Sequence, residues 1–101
     1  VRADLTPGQQ AVQAGHALTE WVLDYPTLSG EWHAKSNYLA YLVVSDEQAL
    51  KKLMEMAIRK GIETSTFREP DLDNTMTAIT LGPGEQSRKL CRGLSLALRG
   101  P

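Results

Sequence analysis

The run Thr6-Pro7-Gly8-Gln9 limits the fold more than any other feature of this sequence. Thr6 suits a helix N-cap, and Pro7 suits the first helical position, where a missing N–H leaves nothing unpaired. Gln9, three residues after Thr6, completes a capping box. The helix opened here is expected to run from Pro7 to Leu23 or Asp24, with Pro26 just beyond its end. Val1 to Leu5 reads as the tail of a first strand. The chain starts at Val1 without a methionine, and residues missing upstream would leave that strand short. A strand feeding directly into a capped helix points to an architecture built from β-α units.

The remaining pattern extends this reading. Residues 25–36, with Pro26, Ser29, Gly30 and Ser36, read as a loop. Tyr38 to Val44 is an aromatic and branched apolar run that reads as a buried strand. Ser45, with Gln48 three residues on, is expected to cap a second helix with Leu50, Leu53, Met54 and Ala57 as its inner stripe and Gly61 as its stop. Ile62 to Phe67 is a third strand, Arg68 to Asp73 a polar loop, and Thr75 to Leu81 a fourth strand ended by Gly82-Pro83-Gly84. Glu85 to Leu98 reads as a last helix with Leu90, Cys91, Leu94 and Leu98 inward, and Gly100-Pro101 ends the chain. The order β-α-β-α-β-β-α predicts an α/β fold: a four-stranded mixed sheet with helices on both faces. Its first two connections favour parallel, right-handed crossovers, and the short loop before the fourth strand favours an antiparallel or bent return.

Composition narrows the function classes. At 101 residues, with 42% hydrophobic and 23% charged, the chain fits a single globular domain, 1–101. Dimerisation would help a domain this small. Cys91 is the only cysteine, so no internal disulfide can form, which is compatible with a cytoplasmic setting. No apolar run approaches a membrane span. The net charge of −1 gives no overall basic character, so any contact with nucleic acid would need local clusters of positive residues. Such clusters exist at Lys51, Lys52, Arg59 and Lys60, and at Arg88, Lys89, Arg92 and Arg99. Arg88 and Arg92 stand i, i+4 apart and would share a helix face. Solvated helix faces account equally for these charges.

On the first helix Gln9, Gln13, His16 and Glu20 fall on one side, and Ala11, Ala14, Gly15, Leu18 and Val22 on the other. The small residues would let the helix approach a sheet. Gln13 and His16 are i, i+3 neighbours and can address one point. A histidine can take a proton from water, and a glutamine amide can donate to a carbonyl oxygen as charge builds on it. Spacing alone also permits a polar face turned to water.

Arg2, Asp4-Leu5 and the run Gly8-Gln9-Gln10-Ala11-Val12-Gln13-Ala14-Gly15-His16-Ala17 resemble the opening of the type 2 peptidyl-tRNA hydrolases. That family carries an Arg-x-Asp-Leu strand end followed by Gly-Lys-x-Ala-x-Gln-x-x-His-Ala on its first helix. Thr77-Ala78-Ile79 leading to Gly82-Pro83 is similar to the family's last strand. The resemblance covers nearly the whole chain and departs from the family at two points. Gln9 replaces the motif lysine, and Ser65-Thr66-Phe67-Arg68-Glu69 stands where the family has Asp-Ala-Gly-Arg-Thr, so only Arg68 matches and the catalytic aspartate is absent.

The resemblance implies hydrolysis of the ester of peptidyl-tRNA or N-blocked aminoacyl-tRNA, without a metal or cofactor. His16 and Gln13 would carry the chemistry, with Glu69 or Asp71 replacing the missing acid. Gln9, Arg68, Thr77, Arg88 and Arg92 would contact substrate. Self-association is also implied. The turn-forming character of Glu69-Pro70-Asp71 is the competing account of those carboxylates. The two departures also motivate a non-catalytic module binding tRNA or protein, or a related hydrolase of another ester or amide. His16, His33 and Cys91 lack zinc-ligand spacing, and Glu69, Asp71 and Asp73 match no calcium loop.

Overall fold

A computed structural model of the chain describes residues 1–99; the Gly100-Pro101 ending lies outside the described residues. In chain order the elements are α1 (Pro7–Asp24), α2 (Pro26–Lys35), β1 (Leu42–Val43), α3 (Glu47–Arg59), β2 (Thr64–Glu69), a 3-10 turn at Pro70–Leu72, β3 (Thr75–Leu81), α4 (Glu85–Leu90) and β4 (Ser95–Leu96).

Local signals govern the starts and stops of α1 and α3. The Thr6 hydroxyl accepts the Gln9 N–H at 3.2 Å, and the Gln9 side-chain carbonyl accepts the Thr6 N–H at 3.0 Å, forming the capping box. At α3 the cap is Asp46 rather than Ser45; its carboxylate accepts the Ala49 N–H at 2.9 Å. A carboxylate at a helix N-terminus also meets the positive end of the dipole, an advantage serine lacks. Gly61, at φ 73°, closes α3. Its N–H bonds to the Ile58 carbonyl while that of Ile62 reaches Ala57, a Schellman pair that needs the left-handed residue.

The chain is mixed helix and strand, but the expected single four-stranded sheet is replaced by two antiparallel pairs, β2 with β3 and β1 with β4. Residues 1–3 lie between them. Ala3 N–H bonds to the Val44 carbonyl at 2.7 Å and Val44 N–H to the Val1 carbonyl at 3.0 Å, while Arg2 N–H reaches the Thr77 carbonyl on β3 at 3.3 Å. The Arg2–Val44 bridge is parallel, as a β-α-β crossover requires, and it is a single isolated bridge.

Three further expectations change. Residues 25–36 form α2 instead of a loop: Pro26, read as a stop for α1, takes the first position of a new helix, with Tyr25 capping both. Two tertiary contacts hold it. The buried Ser29 hydroxyl bonds the Val22 and Pro26 carbonyls, and Trp32 meets Trp21 edge-on at 6.0 Å between ring centroids. The strand expected over Tyr38–Val44 shrinks to Leu42–Val43, leaving Tyr38 76% exposed. The last helix stops at Leu90. Gly93 turns the chain at φ 89°, and Ser95–Leu96 pairs with β1. Arg92 therefore lies outside the helix, and Arg88 and Arg92 do not share a helical face.

α1 packs on β2 and β3, and α3 packs on β3 as well. The core around Val1, Ala17 and Ala78 takes in Leu5, Ala14, Val43, Phe67 and Ala97. Alanine at 17 and 78 lets helix and strand approach closely. The buried face of α1 is Gln10, Gln13, Ala17 and Trp21, rotated from the small-residue face expected from the sequence. Gln13 thus points inward, while His16 and Glu20 stay exposed.

Candidate active site

Gln13 occupies a buried position, 4% exposed, that would be unfavourable for an unpaired amide. Both ends of its side chain are paired. Its Nε2 donates to the Glu69 carboxylate at 2.9 Å, and its Oε1 accepts the Thr77 hydroxyl at 2.6 Å. A carboxylate can only accept, so the Glu69 side must meet the NH2 group, which leaves the carbonyl for Thr77. The network fixes the amide's orientation.

β2 and β3 supply these partners through a register irregularity. Phe67 pairs with Ala78 but Arg68 pairs with Met76, so Thr77 is the extra residue of a β-bulge. A bulge re-aims a side chain. Here it turns the fully buried Thr77 hydroxyl onto Gln13, beside the Phe67 carbonyl at 3.4 Å. Glu69 reaches Gln13 because β2 runs two residues further than expected, Glu69 pairing with Thr75. Strand alternation puts Phe67 and Glu69 on the α1 side and turns Arg68 away from it. The Arg68 guanidinium lies 3.4 Å from the Asn74 carbonyl at the hairpin turn.

His16 lies one helical turn from Gln13, exposed, with its ring stacked on Phe67 at 4.4 Å between centroids and 15° between planes. Among the described residues its ring nitrogens make no hydrogen bond. Phe67 is the site residue that sequence reasoning missed. Its available signal was strand alternation with Glu69.

The other expected site residues are dispersed. Asp71 is exposed in the 3-10 turn and offers its backbone N–H, at 3.4 Å, to the second oxygen of Glu69. Gln9 uses its side-chain carbonyl in the capping box. Arg88 lines a cleft bordered by Ala14, Leu18 and Trp21, on the opposite flank of α1 from His16, and Arg92 lies in the turn after α4. Arg2 grips Asp4 through two bonds of 2.9 Å and also reaches the Thr75 hydroxyl at 3.1 Å and the Met76 carbonyl at 3.3 Å. The hydrogen bond from Arg2 and its positive charge hold the Asp4 carboxyl below the usual carboxylate range. This pair braces the start of β3, two residues from Thr77. Among the described residues no cluster of three or more His, Cys, Asp or Glu side chains could hold a metal ion, and no helix is long and apolar enough to cross a membrane.

A search of curated proteins finds no match to the chain. A comparison with protein-family models matches residues 1–96 to the family described as peptidyl-tRNA hydrolase PTH2. That match spans α1, the hairpin and the clamp around Gln13, and on it the chain belongs to the type 2 peptidyl-tRNA hydrolase family.

Proposed function

We propose that the chain hydrolyses the ester between a peptidyl or N-blocked aminoacyl group and the terminal ribose of tRNA, at the Gln13–His16 site. The carrying observation is the clamp on Gln13: a buried amide held at both ends, one helical turn from an exposed, stacked histidine. Glu69 takes one hydrogen of Nε2, so the second is available to the ester carbonyl. As water attacks, His16 accepts its proton and Nε2–H donates to the oxygen on which charge develops. Collapse of the tetrahedral intermediate expels the ribose oxygen, which takes the proton back from His16. Glu69 serves as the positioning acid in preference to Asp71. Thr77 holds the amide, while Arg68 and Arg88 meet phosphates away from the reacting atoms. Loss of a positioned carbonyl donor typically lowers rate about 100- to 1000-fold, and loss of a general base about 100- to 10,000-fold.

The test is release of blocked amino acid from N-acetyl-aminoacyl-tRNA by the parent chain, His16→Ala, Gln13→Ala and Glu69→Gln. Glu69→Gln keeps an acceptor for Gln13 but removes the charge, so turnover near the parent's would assign Glu69 to positioning. An intact ester with folded parent protein from about pH 6 to 9 sinks the proposal. A second reading rests on Gln9, which stands at the family's lysine position with its carbonyl engaged at the cap. It removes a cation from the site and favours a module that binds tRNA without turnover. Salt-dependent tRNA binding with no ester cleavage would support that reading.

A further inference from the structure

The Thr77 bulge also changes the far edge of β3. Pairing with β2 runs to Phe67–Ala78 and resumes at Arg68–Met76, so the extra residue breaks the alternation of the strand. Two successive carbonyls, those of Met76 and Thr77, then face the same outer edge. A regular neighbouring strand cannot serve both, because its N–H groups reach one edge only at every second residue. Arg2 serves them with two different groups. Its guanidinium donates to the Met76 carbonyl and its backbone N–H to the Thr77 carbonyl, each at 3.3 Å.

The Met76 N–H finds its acceptor on another element. Glu47, the first residue of α3, takes it on its carboxylate at 2.7 Å. Asp46 caps α3 and so puts Glu47 in the first turn. Helical side chains lean toward the N-terminus, and this one projects off the helix end onto β3. Met76 is 2% exposed, so its N–H has no water to turn to. A carboxylate makes a stronger bond to it than a neutral acceptor would. The Lys51 ammonium, 3.7 Å from the same oxygen, balances part of the charge. Both backbone groups of Met76 are thus held by side chains from outside the hairpin. The next residue is Thr77, whose hydroxyl holds the Gln13 carbonyl.

We infer that Glu47 is a positioning residue for Gln13, acting through the Met76 N–H and the Thr77 bulge. The inference rests on the ester-hydrolysis reading of the site and extends its support to α3, a helix that carries none of the clamp residues. Without the Glu47 bond the extra residue can relax toward regular alternation, which turns Thr77 away from α1 and frees the Gln13 carbonyl. A residue that merely anchored α3 on β3 would change stability and leave the aim of Gln13 alone.

Three variants separate aim from anchoring. Glu47→Ala removes the acceptor, the charge at the helix N-terminus and the Lys51 pair. Glu47→Gln loses the charge and the pair but keeps a carbonyl for Met76. Asp46→Ala removes the cap of α3 and leaves the bond to β3 in place. In release of blocked amino acid from N-acetyl-aminoacyl-tRNA, Glu47→Ala should lower kcat about tenfold, with KM within about twofold of the parent's. Glu47→Gln should recover most of that loss. Asp46→Ala should show a comparable loss in Tm yet keep kcat within about twofold. A second readout needs no turnover. The Gln13 side-chain NH2 signal in NMR, assigned by its absence in Gln13→Leu, should shift or broaden in Glu47→Ala. The Met76 amide of that variant should exchange about tenfold or more faster, and Asp46→Ala should show neither change. An inactive parent overturns the functional reading alone, and the Gln13 signal then decides the inference by itself. Four results would each overturn it: a parent-like Gln13 signal in Glu47→Ala, a parent-like kcat for that variant of an active chain, Glu47→Gln as slow as Glu47→Ala, or Asp46→Ala slowed equally.

Discussion

Thr77→Val removes one hydroxyl and leaves the shape of the bulge almost unchanged, so it isolates the clamp on Gln13. The lost bond is short, 2.6 Å, and both partners are buried. Gln13 Oε1 would be left facing a methyl group with no route to water. An unsatisfied buried carbonyl costs about 1–3 kcal/mol, partly offset because the variant no longer buries a hydroxyl. A net loss of about 1–2 kcal/mol corresponds to a fall in Tm of roughly 4–16 °C for a domain near 100 residues. Thermal unfolding measures this, with Thr77→Ser as the control that keeps the hydroxyl. In the tRNA-ester assay, Thr77→Val should lower kcat about tenfold or more with a smaller change in KM, because a loosened amide loses its aim rather than its affinity. Gln13→Leu combined with Thr77→Val should be no less stable than the worse single variant, since neither Gln13 Oε1 nor the Thr77 hydroxyl is left unpaired and the half-buried Glu69 carboxylate, which loses its Nε2 donor, can turn to water. The reasoning is refuted if Thr77→Val matches the parent in Tm and kcat, or if Thr77→Ser is as damaged as Thr77→Val.

Three other outcomes follow from the same structure. Burial of the Val1 α-ammonium lowers its pKa from 8.0 to about 6, the nearby Cys91 opposing the shift. The folded chain then binds fewer protons than the unfolded chain between these values. Stability should rise from pH 6 to 8 by up to about 3 kcal/mol, read as urea midpoints, and acetylating Val1 should flatten the profile. Phe67→Ala removes the platform under His16 and part of the core; a loss of about 2 kcal/mol in denaturant unfolding is expected, with kcat falling more than in Phe67→Leu. Gly93→Ala has room for the added methyl, but φ 89° is strained for alanine, so a loss of about 1–2 kcal/mol and increased amide exchange at Ala97 should appear.

Residues whose structure is decided by near neighbours were legible in the sequence. The Thr6–Gln9 box, the Gly61 stop and the return before Thr75, expected as antiparallel or bent and found antiparallel, each depend on a few adjacent positions. α2 was not legible, because Pro26 ends one helix and begins the next, and Ser29 and Trp32 choose between those roles only through contacts with Val22 and Trp21. The last helix misled for a similar reason. Leu94 and Leu98 continue a helical period, yet pairing of Ser95–Leu96 with β1 and the left-handed turn at Gly93 win.

The clamp shows why the sequence does not tell which of Glu69 and Asp71 meets Gln13. Both carboxylates stand in a segment that reads as a polar turn, and both are within reach of α1 in sequence terms. Pairing of Glu69 with Thr75 extends β2 by alternation, which sends Glu69 to the side that carries Phe67 and leaves Asp71 beyond the strand's end. Thr77 enters through the compensating bulge one pair earlier. Without that extra residue, period-two alternation would turn Thr77 away from α1, and Gln13 would keep one partner instead of two. Gln13 is therefore aimed jointly by three local decisions: the rotation of α1 that buries it, the extension of β2, and the bulge in β3. A substitution that shifts the hairpin register by one residue should disable the site even though Gln13, His16 and Glu69 are all retained.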